Sequence, residues 1–253
     1  MQKERLDKVL VQRHMAPTRE KAQELIALGR VLVGHIPATK AGTWVRMDAS
    51  VQVIDDGPHY VGRGANKLVG AHEVFGFPVT GRVALDVGIS TGGFTDYLLQ
   101  QGASAVVGID VGYGQLDFRL RQDPRVVLLE RTNARQLTTE RLRAAMGPGL
   151  ASASLDLVVM DLSFISVTKV LPHIATLVHP DSDFIILIKP QFEAERHEVG
   201  KGGIVADESL RQAIFTRVEL ALSDMFVLQS RCDSPISGTK GNKEAFFWLR
   251  RKP

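Results

Sequence analysis

The chain has 253 residues, enough for one large domain or for a medium domain joined to a small one. Its content of 44% hydrophobic and 23% charged residues is typical of a globular protein and argues against disorder and fibrous repeats. The formal net charge of +3 permits a polyanionic partner, and the single cysteine, Cys232, excludes an internal disulfide.

The first sixty residues predict a small α+β module. Apolar spacing indicates a helix over residues 6–10, and a second helix begins after the predicted N-cap Thr18. Short β-branched runs at 30–33 and 51–53 predict strands, and turn residues follow at 55–58.

Beyond residue 81, short β-branched runs alternate with helical stretches. The runs lie at 83–87, 105–110, 126–129, 155–161 and 184–189. Such alternation predicts βαβ units with a buried parallel sheet. A helix from 208 to about 223 and two final strands, at 226–229 and 245–249, complete the pattern.

These patterns place a first domain at residues 1–58, a linker at 59–64 and a second domain at 65–253. The chain has no apolar stretch long enough to cross a bilayer, and its charged N-terminus does not read as a secretory signal. We therefore expect a cytoplasmic protein that does not bind membranes.

A glycine-rich loop follows the first predicted strand of the second domain. Gly88, Gly92 and Gly93 would allow a ligand to approach the backbone at the carboxyl end of that strand. Asp110 ends the next strand, where a ribose hydroxyl would need an acceptor. The loop therefore predicts a nucleotide-like ligand.

Two residues of this loop bear on which ligand it binds. Ser90 stands where the dinucleotide fingerprint requires glycine, and Asp86 would face a pyrophosphate unfavourably, so NAD(P) fits poorly. S-adenosylmethionine carries a sulfonium, an ammonium and a ribose but no phosphate. It is therefore the better candidate.

Residues 88–92 also match the G-x-S-x-G nucleophile elbow, which would make Ser90 the nucleophile of a hydrolase. Its general base would be His173, His179 or His197. No HGGG-like oxyanion segment accompanies the elbow, and the two nearby aspartates would have no role. This alternative is the weaker one.

Charged residues at the ends of later strands suggest the second half of a site. Asp161 follows the fourth strand and Lys189 ends the fifth, while Lys67 and Glu244 complete a possible Lys, Asp, Lys, Glu set. Each residue alone has an ordinary explanation as a surface charge or a helix cap. The Pro-Pro pair typical of amino-group methyltransferases is missing after Asp161, which favours a hydroxyl acceptor.

Several sequence stretches together resemble one known family. They are residues 5–10, 86–88, 90–96, 110–116, 163–166, 189–193 and 234–236. With them the chain resembles the haemolysin A-type ribosomal RNA 2′-O-methyltransferases, which join an S4-like RNA-binding domain to an FtsJ-like catalytic domain. The resemblance implies a Rossmann-like class I methyltransferase fold of α/β class, with a mostly parallel seven-stranded sheet, preceded by a small α+β S4-like domain.

The resemblance also implies roles for individual residues. The catalytic set would be Lys67, Asp161, Lys189 and Glu244. The S-adenosylmethionine site would comprise Asp86, Gly88, Ser90, Gly92, Gly93, Asp110, Asn133 and Asp161, with Asn133 near the adenine. Lys189 would then take the proton of a ribose hydroxyl, and Asp161 and Glu244 would mainly orient the two lysines.

Basic residues near the N-terminus are the expected RNA contacts. They are Arg5, Arg19, Lys21 and Arg30, together with Arg63 before the second domain, and a solvated helix face is the alternative interpretation. We expect ribosomal RNA or ribosomal subunits as the partner, cytidine as the target, and no metal; the oligomeric state stays open. The competing functions are a non-catalytic RNA-binding protein and, from the haemolysin name, a membrane-active protein.

Overall fold

The structure, a computed structural model, describes residues 3–54, 60–150, 152–238 and 241–253. The chain divides into two compact units, Met1–His59 and Tyr60–Pro253. The turn expected at 55–58 lies outside the described residues. Of the stretch expected as a linker, Val61 is held within the second unit, where its backbone N–H donates to Asp96 Oδ2 at 2.8 Å.

The first unit contains two helices and five short strands among its described residues. In chain order these are β1 (Lys3–Arg5), α1 (Leu6–Gln12), α2 (Arg19–Ala27), β2 (Val31–Val33), β3 (Ile36–Pro37), β4 (Trp44–Arg46) and β5 (Val51–Val53). Strand β2 pairs with β3 and β5, and β1 pairs with β4, all antiparallel.

The core of the first unit lies between the two helices and the strands. Leu6, Leu10 and Ile26 are fully buried there. The predicted N-cap of α2 is confirmed, because Thr18 Oγ1 accepts a hydrogen bond from the Lys21 backbone N–H at 3.2 Å.

The second unit alternates strands and helices. In chain order these are α3 (Gly64–Phe75), β6 (Val83–Val87), α4 (Gly93–Gln100), β7 (Ala105–Ile109), α5 (Phe118–Arg121), β8 (Val126–Leu129), α6 (Thr139–Leu150), β9 (Leu155–Met160), α7 (Leu171–Ala175), β10 (Asp183–Ile188), α8 (Pro190–Glu193), α9 (Glu208–Leu222), β11 (Phe226–Asp233) and β12 (Ala245–Arg251). Non-helical backbone at Gly147 interrupts α6.

The strands of the second unit form one seven-stranded sheet in the order β11-β12-β10-β9-β6-β7-β8. Strand β12 runs antiparallel to both of its neighbours, and the pairs from β8 across to β10 are parallel. The predicted α/β class and mostly parallel sheet are confirmed. The chain order reverses between β6 and β9, which is where open α/β sheets bind ligands at the carboxyl ends of their strands.

Helices cover both faces of this sheet. Along β6, Val83, Leu85 and Val87 pack on the side of α6, α7 and α9, whereas Ala84 packs on the side of α3 and α4. Strands that are buried on both faces have continuous apolar runs, which explains why the sequence located them well. Among the described helices, none has the length and apolar character needed to span a membrane.

Candidate active site

The carboxyl ends of β6 and β9 open a cleft at the point where the strand order reverses. Val87 and Met160 are register partners at the ends of these strands, and the backbone N–H of Asp161 donates to Val87 O at 3.1 Å. Asp161 and Lys189, which follow β9 and β10, therefore reach the same edge of the sheet as the glycine-rich loop after β6.

One cavity of about 290 Å³ lies in this cleft. Its lining is acidic and apolar: Val87, Gly88, Ser90, Ile109, Asp110, Val111, Gln115, Thr132, Ala134, Asp161, Leu162, Ser163 and Phe164. None of these lining residues is a lysine, arginine or histidine. Such a cavity suits a ligand with a ribose and a positive charge and suits a phosphate poorly, so its residues fit S-adenosylmethionine better than a dinucleotide.

Asp110 lies at the end of β7 with its carboxylate fixed by two backbone donors. Ser90 N–H donates to Oδ2 at 2.9 Å and Gly112 N–H donates to Oδ1 at 2.7 Å. Each carboxylate oxygen can accept a further hydrogen bond, so a bound ribose would meet an acceptor of fixed orientation.

The loop glycines have different surroundings. A side chain on Gly88, whose φ is +90°, would lie 2.5 Å from the Asp161 carbonyl oxygen, so this position requires glycine. Gly88 and Gly93 line cavities. Gly92, whose φ is +95°, packs against the ends of the Leu116 and Leu120 side chains, and its role toward a ligand stays a prediction.

Asp86 is buried beneath the loop and accepts a hydrogen bond from Thr95 Oγ1 at 2.7 Å. Burial raises the pKa of the Asp86 carboxyl to about 7; the Thr95 hydroxyl opposes this shift, and the charges of Asp161 and Asp110 add to it. A cation bound in the adjoining cavity would favour the ionised form. Asp86 itself lines a second cavity together with Lys67 and Lys189.

The four residues predicted as a catalytic set come together as two ion pairs. Lys67 Nζ donates to Glu244 Oε2 at 2.5 Å, and Lys189 Nζ lies 2.5 Å from Asp161 Oδ1. Lys67, Lys189 and Glu244 are buried. The second pair is a charge contact rather than an aligned hydrogen bond, because Asp161 Oδ1 has no hydrogen-bond partner and Lys189 Nζ donates to Ser163 Oγ at 3.1 Å.

The segment before β12 holds Glu244 in place. The Glu244 carbonyl accepts from Ser234 N–H at 2.8 Å, and the carboxylate packs so closely on Gly238 that a β-carbon there would clash with Oε1. Asn242 is buried beside it and bridges to another segment: it accepts from Val205 N–H at 2.9 Å and donates to the Gly203 carbonyl at 2.8 Å. No sequence pattern predicts these contacts around Glu244.

Ser163 and Phe164, two and three residues after Asp161, were also missed as site residues. Ser163 contacts Lys189 and lines all three cavities of this region. Phe164 is 90% exposed with a φ of +66°, and its ring lies 5.1 Å from the Phe192 ring. An exposed aromatic in the left-handed region is unusual, but this conformation carries no sequence signal.

The third cavity, of about 470 Å³, extends from the two ion pairs toward these aromatic rings. It is lined by Lys67, Ser163, Phe164, Lys189, Gln191, Phe192, Gly203, Asn242 and Glu244. The two lysines therefore line both the second and the third cavity, and Ser163 and Phe164 line the third cavity as well as the acidic first one.

Asn133 and Ser90, two residues predicted to bind the cofactor, both make hydrogen bonds within their own region of the protein. Asn133, expected near an adenine, is exposed and caps a short 3₁₀ turn by accepting from Arg135 N–H at 3.0 Å, while its neighbours Thr132 and Ala134 line the first cavity. Ser90 has the positive φ of a strained turn, +50°, but its hydroxyl donates to Gln115 Oε1 at 3.3 Å.

The histidines proposed for a hydrolase make contacts elsewhere in the described chain. His173 Nε2 bonds the Leu137 carbonyl at 2.8 Å, while His179 and His197 lie near carboxylates of their own loops. None of these three contacts involves Ser90, so within the described residues they give the nucleophile-elbow interpretation no support.

The expected RNA contacts in the first unit have structural partners. Arg5 and Arg19 both donate to the fully buried carboxylate of Asp7, and these contacts hold the Asp7 pKa well below its usual range. Lys21 pairs with Glu24 at 2.9 Å. The roles of these residues toward RNA stay predictions, and so does the role of the half-buried Arg30.

Arg63 lies in the second unit. It is exposed immediately before α3 and lines the second cavity with Lys67.

The sheet order and the ligand edge define a Rossmann-like methyltransferase fold. Residues 60–251 match the family profile of the FtsJ-like methyltransferases, and residues 4–51 match that of the S4 domain. The chain belongs to the family of haemolysin A-type proteins, in which an S4 domain precedes an FtsJ-like methyltransferase domain, as its sequence motifs predicted.

Relatives with these two domains align over nearly the whole chain. The 16S/23S rRNA (cytidine-2′-O)-methyltransferase TlyA of Mycobacterium tuberculosis is 46% identical over 97% of this chain and 89% of its own length. Hemolysin A of Brachyspira hyodysenteriae is 38% identical over 95% of this chain and 97% of its own. A solved structure from Streptococcus thermophilus, described as a candidate hemolysin, covers 100% of this chain and 90% of its own, with 32% identity and a TM-score of 0.73.

Proposed function

We propose that this protein transfers a methyl group from S-adenosylmethionine to the ribose 2′-hydroxyl of a cytidine in ribosomal RNA. One observation carries the proposal: two lysine–carboxylate pairs, Lys67–Glu244 and Lys189–Asp161, come together at neighbouring cavities, with Asp161 lining the acidic cavity and both lysines lining the aromatic one. The name of the Mycobacterium tuberculosis relative supports the acceptor and the base.

The acidic cavity is the proposed cofactor site. When bound, S-adenosylmethionine supplies an electrophilic methyl carbon on a positively charged sulfur. Asp110 would accept from the ribose hydroxyls, and the carboxylates of Asp86 and Asp161 would balance the positive charge of the ligand. The apolar side chains of Ile109, Val111 and Leu162 line the part of the cavity suited to a flat base.

The lysines act on the acceptor hydroxyl in this proposal. Both lysines line the cavities, and each Nζ has its own carboxylate at 2.5 Å, so each amine is held in one position. Lys189 Nζ would orient the 2′-oxygen and, once its ammonium has released a proton to solvent, take the proton of that hydroxyl as the oxygen accepts the methyl group. Lys67 Nζ would donate a hydrogen bond to the same oxygen. Asp161 and Glu244 position the amines, and Ser163 fixes Lys189 from the other side.

The aromatic cavity is the proposed acceptor side. The exposed ring of Phe164 and its neighbour Phe192 provide a flat apolar surface next to the lysines. RNA bases that leave a helical stack are commonly bound on aromatic side chains, so the cavity suits a nucleotide rather than a small metabolite.

The test uses purified protein, labelled S-adenosylmethionine and ribosomal subunits from cells that lack the gene. Digestion and mass spectrometry should find 2′-O-methylcytidine with the wild-type protein. The Lys189→Ala variant should make none, while its affinity for S-adenosylmethionine stays within a few-fold. Lys252→Ala, at an exposed lysine far along the chain, is the matched control and should methylate normally.

Two results would contradict the proposal. A methyl group on a base instead of a ribose would refute the hydroxyl acceptor. Tight cofactor binding without transfer to either subunit would favour the alternative, a non-catalytic RNA-binding protein with a methyltransferase fold.

A further inference from the structure

The first unit exposes an unusual set of side chains on one face of its β1–β4 ribbon. In the register of this ribbon, Lys3 lies opposite Arg46 and Arg5 lies opposite Trp44. Alternate residues of a strand point to opposite faces, so these four share one face, while Val45 on the other face is buried in the core. We call the four residues the Trp44 face.

Trp44 is the aromatic centre of this face. Its side chain is 63% exposed, although tryptophan is among the residues that gain most from burial. Val45 supplies the core contact of β4, so the fold of the first unit does not require a large aromatic at position 44. An exposed indole of this size indicates a binding surface.

The charges around Trp44 indicate which partner fits. Residues 3–54 include nine lysines and arginines against five aspartates and glutamates, a formal charge of +4. Lys3 and Arg46 are exposed beside the indole, and Arg46 pairs with the exposed Asp48 at 2.5 Å. An exposed ion pair contributes little free energy, so Arg46 can exchange this partner for a phosphate at small cost.

We propose that the Trp44 face binds an unpaired nucleotide of RNA, whose base stacks on the Trp44 indole while Lys3 and Arg46 contact the flanking phosphates. A flat aromatic surface with adjacent cations is how proteins hold single-stranded nucleic acid without reading its sequence. Duplex RNA keeps its bases stacked and offers none to the indole. The proposal rests on RNA being the substrate, and it adds a site separate from the catalytic unit.

The chain contains two tryptophans, which allows a direct spectroscopic test. Trp248 lies in the second unit, where its Nε1 donates to Asp183 at 2.8 Å. In the full-length Trp248→Phe variant, all tryptophan emission comes from Trp44. Titration with a 12-nucleotide single-stranded RNA at low salt should quench this emission to saturation, and a blunt RNA duplex should quench it much less.

Affinity measurements on the full-length protein complete the test. Trp44→Ala should bind the single-stranded RNA about 5- to 100-fold more weakly, since stacking on an aromatic contributes about 1–3 kcal/mol per base. Trp44→Phe should retain most of the affinity. Ile36→Ala is the matched control, because Ile36 is an apolar side chain of the same unit that is 74% exposed but lies on β3.

The outcomes separate this proposal from the proposed function. Unchanged Trp44 emission on RNA binding, or equal affinities for wild type and Trp44→Ala, would overturn the stacking site even if ribosomal RNA is methylated. Equal quenching by duplex RNA would also overturn it. Saturable quenching with a weakened Trp44→Ala variant would support the site even if no methyl transfer is found, in which case only the proposed function fails.

Discussion

The buried pair of Lys67 and Glu244 provides a sharp test of how the site is held. The two side chains are 7% and 2% exposed, and their charged atoms lie 2.5 Å apart. Glu244→Ala leaves the Lys67 ammonium buried without its counterion. Removing one partner of a buried pair typically costs about 3–5 kcal/mol of unfolding free energy.

For a unit of this size, each 1 kcal/mol lowers the melting temperature by about 2–4 °C, so Glu244→Ala should melt about 6–20 °C below wild type. The double variant Lys67→Met with Glu244→Leu removes both charges and keeps apolar volume. It should recover to within about 1 kcal/mol of wild type, because replacing a whole buried pair by apolar residues is often neutral. Neither variant should transfer methyl groups.

Urea unfolding in a Trp44→Phe background measures this free energy, because the remaining Trp248 emission reports the second unit. Arg119→Ala breaks an exposed pair with Asp117 and is the control, expected to change the free energy of unfolding by less than about 1 kcal/mol. If Glu244→Ala is as stable as Arg119→Ala, or if the double variant is as unstable as Glu244→Ala, the pair is not desolvated and the reasoning is wrong.

Three further predictions concern groups around the site. Gly238→Ala should abolish most methyl transfer with all charges intact, since its new carbon would displace Glu244; wild-type turnover would contradict this packing argument. In the folded state the Asp86 carboxyl keeps its proton up to about pH 7, because its pKa is raised to about 7. In the unfolded state the same carboxyl loses its proton from about pH 4. The stability of the folded state therefore falls as the pH rises from 4 to 7. Melting curves of Asp86→Asn should therefore decline less over that range than those of wild type, and parallel curves would refute the shift. Glu193→Ala should raise the KM for RNA, because this half-buried carboxylate accepts from Ser166 Oγ at 2.5 Å and fixes the loop after β9. Glu193→Gln should restore the KM, and equal KM values for all three proteins would exclude this role.

The sequence was informative where structure follows local patterns. The runs at 83–87 and 126–129 match β6 and β8 residue for residue. Both are rich in valine, which favours strands, although β6 includes Asp86 and the edge strand β8 is mostly half-buried. The start of the second helix was predicted from Thr18. An N-cap is a local feature, because the Thr18 hydroxyl accepts from the backbone N–H of Lys21, only three residues later. The strand pattern also placed Asp161 and Lys189 at strand ends, and the family resemblance then gave them their expected catalytic roles.

Local patterns leave a residue's use open where one residue type has several uses. Glycines suggest room for a ligand, and the structure shows that Gly92, whose φ is +95°, lies against the side chains of Leu116 and Leu120. Arginines near a basic terminus suggest phosphate contacts, and the structure shows that Arg5 and Arg19 also contact the buried carboxylate of Asp7. These contacts arise from packing, which a pattern of residue types does not encode.

The sequence by itself determined the alternation of strands and helices and the family to which the chain belongs. Both follow from the periodicity of apolar residues and from short motifs, which are properties of residues that are close in sequence. Only the tertiary structure decided which carboxylate serves which lysine. Lys67 and Glu244 are 177 positions apart and meet because α3 packs on the sheet beside the segment leading into β12. The strand order likewise brings the exposed Phe164 to the same cavity as Gly88 and Asp161.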